Sequence, residues 1–162
     1  MATAPFSDHS YEGFLQQRKI MGTRCRRCGA LALPPRSFCV AGCGGELEWF
    51  SFAGIGRLSA FTSIFVPTPA MARQGFGRNN PYVVGVVELR EGPRIVARIV
   101  GVDAEKPSEI KVGTPLRAEF LTTGGDAAEH TVLAFVPSDG EILQSGGGAH
   151  GGLEATPPRM ET

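Results

Sequence analysis

Apolar residues at Tyr11, Phe14, Leu15 and Ile20 recur at roughly the spacing of one helical face, and Ser7 or Asp8 stands where a cap would. This pattern predicts a short amphipathic helix over residues 7–21, with Gly13 as its weak point. A helix so short is marginal alone in water, so its aromatic face must pack on the chain's own core or on a partner. From Glu46 onward the period of the pattern drops to two. Alternation predicts strands over residues 46–52, 57–66, 82–89, 94–100, 116–121 and 131–136, with Glu91-Gly92-Pro93 turning one strand into the next as a hairpin. The last five, with a longer polar connection over residues 103–113, suit a Greek-key barrel of the OB type, a half-open sandwich being the alternative. After Pro137 the stretch Gly146-Gly147-Gly148-Ala149-His150-Gly151-Gly152 and the pair Pro157-Pro158 cannot build a core, which predicts a flexible tail over residues 138–162.

Composition supports this mainly β reading, because 22 glycines and 12 prolines in 162 residues imply many turns and few long helices. The expected organisation is an N-terminal helix over residues 1–22, a cysteine-bearing segment over 23–45, the barrel over 46–137 and the tail. No apolar run approaches the roughly 18 residues that span a bilayer, and the N-terminus lacks the sections of a signal peptide. The chain is therefore expected in the cytoplasm, where thiols stay reduced and open to metal. Formal net charge is zero but unevenly spread. Residues 1–45 carry Arg18, Lys19, Arg24, Arg26, Arg27 and Arg36 against Asp8 and Glu12, a balance of +4 that leaves −4 for the rest. Such a basic head suits nucleic acid, the phosphates of a nucleotide cofactor or an acidic protein surface.

The concentrated chemistry is in the four cysteines, Cys25, Cys28, Cys39 and Cys43, two close pairs with ten residues between them. Each pair lies in a glycine-ended turn, and two such turns can carry four thiolates to the corners of one tetrahedron, the arrangement of structural zinc. A redox Cys-x-x-Cys, a disulfide or merely packed cysteines fit two close pairs in a reducing compartment less well. A ribbon of this length has almost no core of its own, so metal must supply most of its folding free energy, on the order of 10–16 kcal/mol for structural zinc peptides. Four protein ligands leave no position for water or substrate, so the zinc is expected to be structural.

A second candidate lies in residues 67–81, between the first two barrel strands, where Met71, Arg73, Phe76 and Arg78 stand among three prolines and two glycines. That connection borders the binding face of OB barrels. Arg73 and Arg78 could meet phosphate while Phe76 stacks on a base, the requirement of a nucleotide or of single-stranded nucleic acid; a merely solvated loop is the alternative. The three histidines, His9, His130 and His150, form no constellation, and metal would claim every thiol. No nucleophile–base arrangement or paired carboxylate follows from spacing, and the chain reads as non-catalytic by itself.

The order of these parts carries a resemblance. Tyr11-Glu12-Gly13-Phe14-Leu15 is followed by Arg24-Cys25-Arg26-Arg27-Cys28-Gly29, Leu33-Pro34-Pro35-Arg36-Ser37-Phe38-Cys39, Leu47-Glu48-Trp49 and Gly54-Ile55-Gly56-Arg57-Leu58. With Pro81-Tyr82-Val83-Val84-Gly85-Val86-Val87-Glu88-Leu89 and Val112-Gly113-Thr114-Pro115-Leu116, the chain from Tyr11 to Pro137 closely resembles a family long labelled a domain of unknown function. Its members join a rubredoxin-like zinc ribbon to an OB fold and accompany thiolase-superfamily and acyl-CoA enzymes. The resemblance implies zinc on Cys25, Cys28, Cys39 and Cys43. It also implies an accessory subunit docked on a thiolase-fold catalytic subunit in a two-plus-two assembly, with CoA or acyl-CoA as a shared ligand. A small subunit of a catabolic thiolase, such as an aromatic, benzoylsuccinyl-CoA type enzyme, is the particular expectation. This chain departs from the family in placing three residues rather than two between Cys39 and Cys43. The alternative function is a single-stranded nucleic-acid-binding module, which the acidic barrel half disfavours.

Overall fold

The computed structural model describes residues 4–124 and 130–138, so the expected tail, from residue 139 onward, lies outside the described residues. Helix α1 spans Asp8–Gln16, and the Ser7 hydroxyl accepts a hydrogen bond from the Ser10 N–H to cap it. It stops short of the periodic pattern because Arg18 takes a left-handed φ of 57°. The Arg18 and Lys19 N–H groups then close the last turn on Leu15 and Phe14 carbonyls at 2.8 and 2.9 Å. Ile20, apolar at helical spacing, instead opens strand β1 (Ile20–Cys25).

Strand β1 is the centre of a three-stranded antiparallel sheet, between β2 (Leu31–Ala32) and β3 (Leu47–Phe52). Its register with β3 runs unbroken from Ile20 opposite Phe52 to Cys25 opposite Leu47. The strand predicted over residues 46–52 is thus hydrogen-bonded into the cysteine-bearing sheet, and its far end leads into the barrel.

The five later strands are β4 (Ile55–Ile64), β5 (Tyr82–Leu89), β6 (Arg94–Ile99), β7 (Pro115–Thr123) and β8 (His130–Pro137). They close into a barrel in the order β4-β5-β6-β8-β7, with β6 and β8 parallel through Arg98 opposite Ala134 and Ile99 opposite Phe135. This is the OB-type barrel that the alternation predicted, closed rather than half-open. A bulge in β4 between Leu58 and Ala60 shifts the phase of alternation, so Leu58 pairs with Val87 and Phe61 with Gly85. Both side chains thereby join one core although they are an odd number of residues apart.

That core does not stop at the barrel wall. Leu15 of α1, Ile20 of β1, Leu33 and Phe52 belong to the same apolar cluster as Leu58, Val87, Leu116 and Phe135. The N-terminal helix therefore packs on this chain itself. Two polar ties reinforce the junction: the Trp49 indole N–H donates to the Ala4 carbonyl at 2.8 Å, and the Glu91 carboxylate accepts from the Ala53 N–H at 2.8 Å. Phe6 and Phe14 pack on the Trp49 ring at 5.0 and 4.9 Å.

At Gly56 the barrel wall leaves no room for a side chain, since a Cβ there would stand 2.5 Å from the Glu88 carbonyl oxygen and 2.9 Å from Val87. Gly56→Ala is expected to cost about 1–3 kcal/mol through backbone displacement. Gly13→Ala, whose Cβ meets nothing within 4 Å inside α1, is expected to gain about 0.5–1 kcal/mol. Urea denaturation of the two variants checks both signs.

Candidate metal centre and the arginine-bearing loop

Strand β1 delivers Cys25 at its end, and the chain turns at once. The Gly29 N–H donates to the Cys25 carbonyl at 2.8 Å and the Cys25 N–H to the Ala30 carbonyl at 2.9 Å, which brings Cys28 back beside Cys25. The second turn closes through the Gly42 N–H on the Cys39 carbonyl at 2.9 Å. Gly42 has φ 70°, and this left-handed residue absorbs the extra position between Cys39 and Cys43. The two turns are held together from outside the cluster. Arg27 donates through Nη1 to the Cys43 carbonyl at 2.9 Å, and the Arg26 N–H reaches the Glu46 carbonyl at 2.8 Å.

All four Sγ atoms lie within 4.8 Å of one another. Cys25 and Cys43 are 3.4 Å apart, and Cys39 stands 3.5 Å from both Cys28 and Cys43. A tetrahedron with Zn–S near 2.3 Å has edges of about 3.8 Å, so the cage is the right size for zinc without rearrangement. Its electrostatics also call for a cation. The Cys28 N–H directed at Cys25 lowers that thiol's pKa, and the Cys43 N–H brings Cys39 down to about 6. At Cys43 the Gly45 N–H acts in the same sense, but the sulfurs of Cys25, Cys28 and Cys39 outweigh it and raise the thiol to about 12. Thiolates this close cannot all ionise beside one another unless a positive charge shares them. Zinc held by these four residues would supply that charge and tie the two turns, with no ligand position left for chemistry.

The loop between β4 and β5 contains a short helix, α2 (Pro69–Arg73), capped by the Thr68 hydroxyl. Arg73 closes that helix and Arg78 lies in a turn where Gly77 and Asn80 bridge; both are exposed and neither makes a side-chain hydrogen bond or ion pair among the described residues. Phe76 is different. Its ring packs at 5.0 Å against Tyr82 of β5, and the Arg98 guanidinium of β6 lies over it at 4.8 Å. Sequence reasoning passed over Arg98, although a single arginine interrupting the aliphatic run Ile95-Val96-Ala97-Arg98-Ile99 was the available signal. A cleft of about 770 Å³ opens elsewhere, between α1, the segment Leu33-Pro34 and the starts of β6 and β8. Tyr11 lines it, its phenol pKa raised by burial to about 12.

A closed four-cysteine cage on a three-stranded ribbon, sharing a core with an OB-type barrel, defines a protein of the zinc-ribbon plus OB-fold class. The family comparisons agree. The rubredoxin-like zinc ribbon domain of ChsH2 matches residues 14–48, and its C-terminal OB-fold domain matches residues 49–121. A DUF35 domain-containing scaffold protein of Methanothermobacter thermautotrophicus is 35% identical over 107 residues, 65% of this chain and 74% of that one. The benzoylsuccinyl-CoA thiolase subunit BbsA of Thauera aromatica is 30% identical over 99 residues, 59% of this chain and 64% of that one. Among solved structures, an Ltp2–ChsH2(DUF35) aldolase superposes with a TM-score of 0.65 at 29% identity, covering 85% of this chain and 98% of the other. The chain belongs to the DUF35 family of zinc-ribbon plus OB-fold proteins, of the ChsH2 type. No helix among the described residues is long and apolar enough to cross a membrane.

Gly45 tests the cage. A Cβ there would stand 2.7 Å from the Cys25 Sγ and 2.5 Å from the Arg27 Cβ, so Gly45→Ala is expected to weaken zinc retention against a chromogenic chelator by about tenfold or more. Chelation of the wild type is expected to unfold the ribbon, read from far-UV circular dichroism. Zinc should also be released as pH falls, because protons compete for thiolates and the cage is loaded only where they are deprotonated.

Proposed function

We propose that the chain is a non-catalytic accessory subunit of a thiolase-type acyl-CoA enzyme complex, docking on the catalytic subunit and contributing to the binding of CoA or acyl-CoA. The observation that carries this reading is the family membership, joined to relatives that are by name a thiolase subunit and part of an aldolase assembly. The chain's own chemistry fits a supporting role, because every cysteine is drawn into the cage and none remains as a nucleophile. A thiolase-fold partner in a two-plus-two assembly would supply the reacting groups. Arg73 and Arg78 are the groups offered to CoA phosphates, and Phe76 is the aromatic beside them.

The nucleic-acid alternative finds little support on the barrel's outer face. Outward on β5 and β6, Val84, Val86 and Val96 are aliphatic where a single strand needs stacking rings, the charged positions beside them are Glu88, Arg94 and Arg98, and Phe76 is already covered by Arg98.

Co-purification from the native host, followed by reconstitution with the thiolase-fold protein recovered, is expected to give a stable complex whose acyl transfer requires both chains. A chain that elutes alone, or a partner fully active without it, overturns the proposal. In the assembled complex, the double variant Arg73→Ala/Arg78→Ala is expected to weaken CoA binding by about tenfold in calorimetry; unchanged affinity removes the loop from the site.

A further inference from the structure

Six described arginines, Arg18, Arg36, Arg73, Arg78, Arg90 and Arg98, make no side-chain hydrogen bond or ion pair among the described residues, and Arg98 alone of them is not exposed. Its surroundings explain the lack of a counter-ion. The cross-strand neighbours of Arg98 are Val84 on β5 and Ala134 on β8, and neither can present a carboxylate. Between Glu48 and Glu88 the chain contains no acidic residue, a stretch that takes in β4, the whole arginine-bearing loop and most of β5. The same stretch contributes Arg57, Arg73 and Arg78.

Burying a guanidinium without an anion is unfavourable, and burial lowers the pKa of Arg98, the nearby Tyr82 phenol acting in the opposite sense. What holds the side chain in place is the Phe76 ring, 4.8 Å beneath it, itself backed by Tyr82. A guanidinium lying over a ring keeps its N–H donors at the edge of its plane, the geometry that receives an oxyanion as a fork. Phe76 therefore acts as a backing for Arg98 more than as a platform for a base.

We propose that Arg98 is the anchor of a polyphosphate-binding site on the outer face of the barrel, backed by Phe76 and completed by Arg73 and Arg78 of the adjoining loop. The ligand class is a chain of two or more phosphates, such as the diphosphate of a nucleotide. Arg73 and Arg78 stand three and two positions from Phe76 in a stretch without acidic residues, and together with Arg98 over that ring they offer more charge than one carboxylate would balance. The inference rests on the reading of residues 67–81 as the ligand-facing loop, but it needs no partner protein for its test.

The full-length, zinc-loaded chain is titrated calorimetrically with inorganic pyrophosphate at low ionic strength, with acetate as the carboxylate comparison. Saturable binding of pyrophosphate and not of acetate is expected. Arg98→Ala should weaken it by about tenfold or more, Arg98→Lys nearly as much because the planar fork is lost, and Arg73→Ala/Arg78→Ala to a smaller degree. Arg36→Ala, on the basic head, should bind as the wild type does. Absence of saturable binding by the wild type overturns the proposal. So does unchanged binding by Arg98→Ala with wild-type zinc content and circular dichroism, or an Arg98→Lys variant as tight as the wild type. Pyrophosphate binding lost in Arg98→Ala while the chain still assembles with a catalytic partner leaves both readings standing. Failure to assemble, with pyrophosphate binding intact, removes the accessory-subunit reading alone.

Discussion

Four sulfurs within 4.8 Å of one another form an arrangement that a protein cannot hold charged by itself. Backbone N–H groups stabilise the thiolates of Cys25 and Cys39, while their combined field opposes ionisation of Cys43. A divalent cation held by the four sulfurs would resolve the conflict and tie the two turns into one knuckle. Because Cys25 terminates β1, the central strand of the ribbon sheet, whatever holds the knuckle also holds the start of β3 opposite it.

From that sheet order passes directly to the barrel. Ile20 and Phe52 lie opposite each other at the end of the β1–β3 ladder and enter the same apolar cluster as Leu58 and Phe135. Ribbon, helix and barrel thus share one core, so the metal staple and barrel closure support each other. The ion pairs add little beside this. Arg24 and Arg26 on Glu48, Arg94 on Glu88 and Arg117 on Glu119 are surface pairs that solvent screens, so they add little to stability.

A closed barrel leaves no unpaired strand edge of its own, so its outward contacts fall to side chains on strand faces and to the connecting loops. Here the outer face of β5 and β6 carries the aliphatic Val84, Val86 and Val96 between the Arg94–Glu88 ion pair at one end and Arg98, without an ion-pair partner among the described residues, at the other. The adjoining loop carries basic residues without acidic ones. That distribution suits docking and anion capture by a scaffold better than reading of bases.

Much of this was legible in the sequence because it depends on local rules. Two close cysteine pairs announce a cage, a period of two announces strands, and Ser7 ahead of an apolar face announces a capped helix; each is set by neighbours a few residues away. What needed the tertiary structure was whatever depends on distant partners. The helix gave way before Ile20 because that side chain is worth more in the shared core opposite Phe52 than on a helical face. The bulge after Leu58 shifted the inward phase of β4, which strict alternation cannot foresee. Phe76 changed role for the same reason: sequence placed it in an arginine-bearing loop, but only folding laid the Arg98 guanidinium, 22 positions later, over its ring. Local spacing determined the N-terminal helix, the strands from residue 46 onward and which residues can hold metal. Packing between distant segments decided which faces they bury and which charges they leave without a partner.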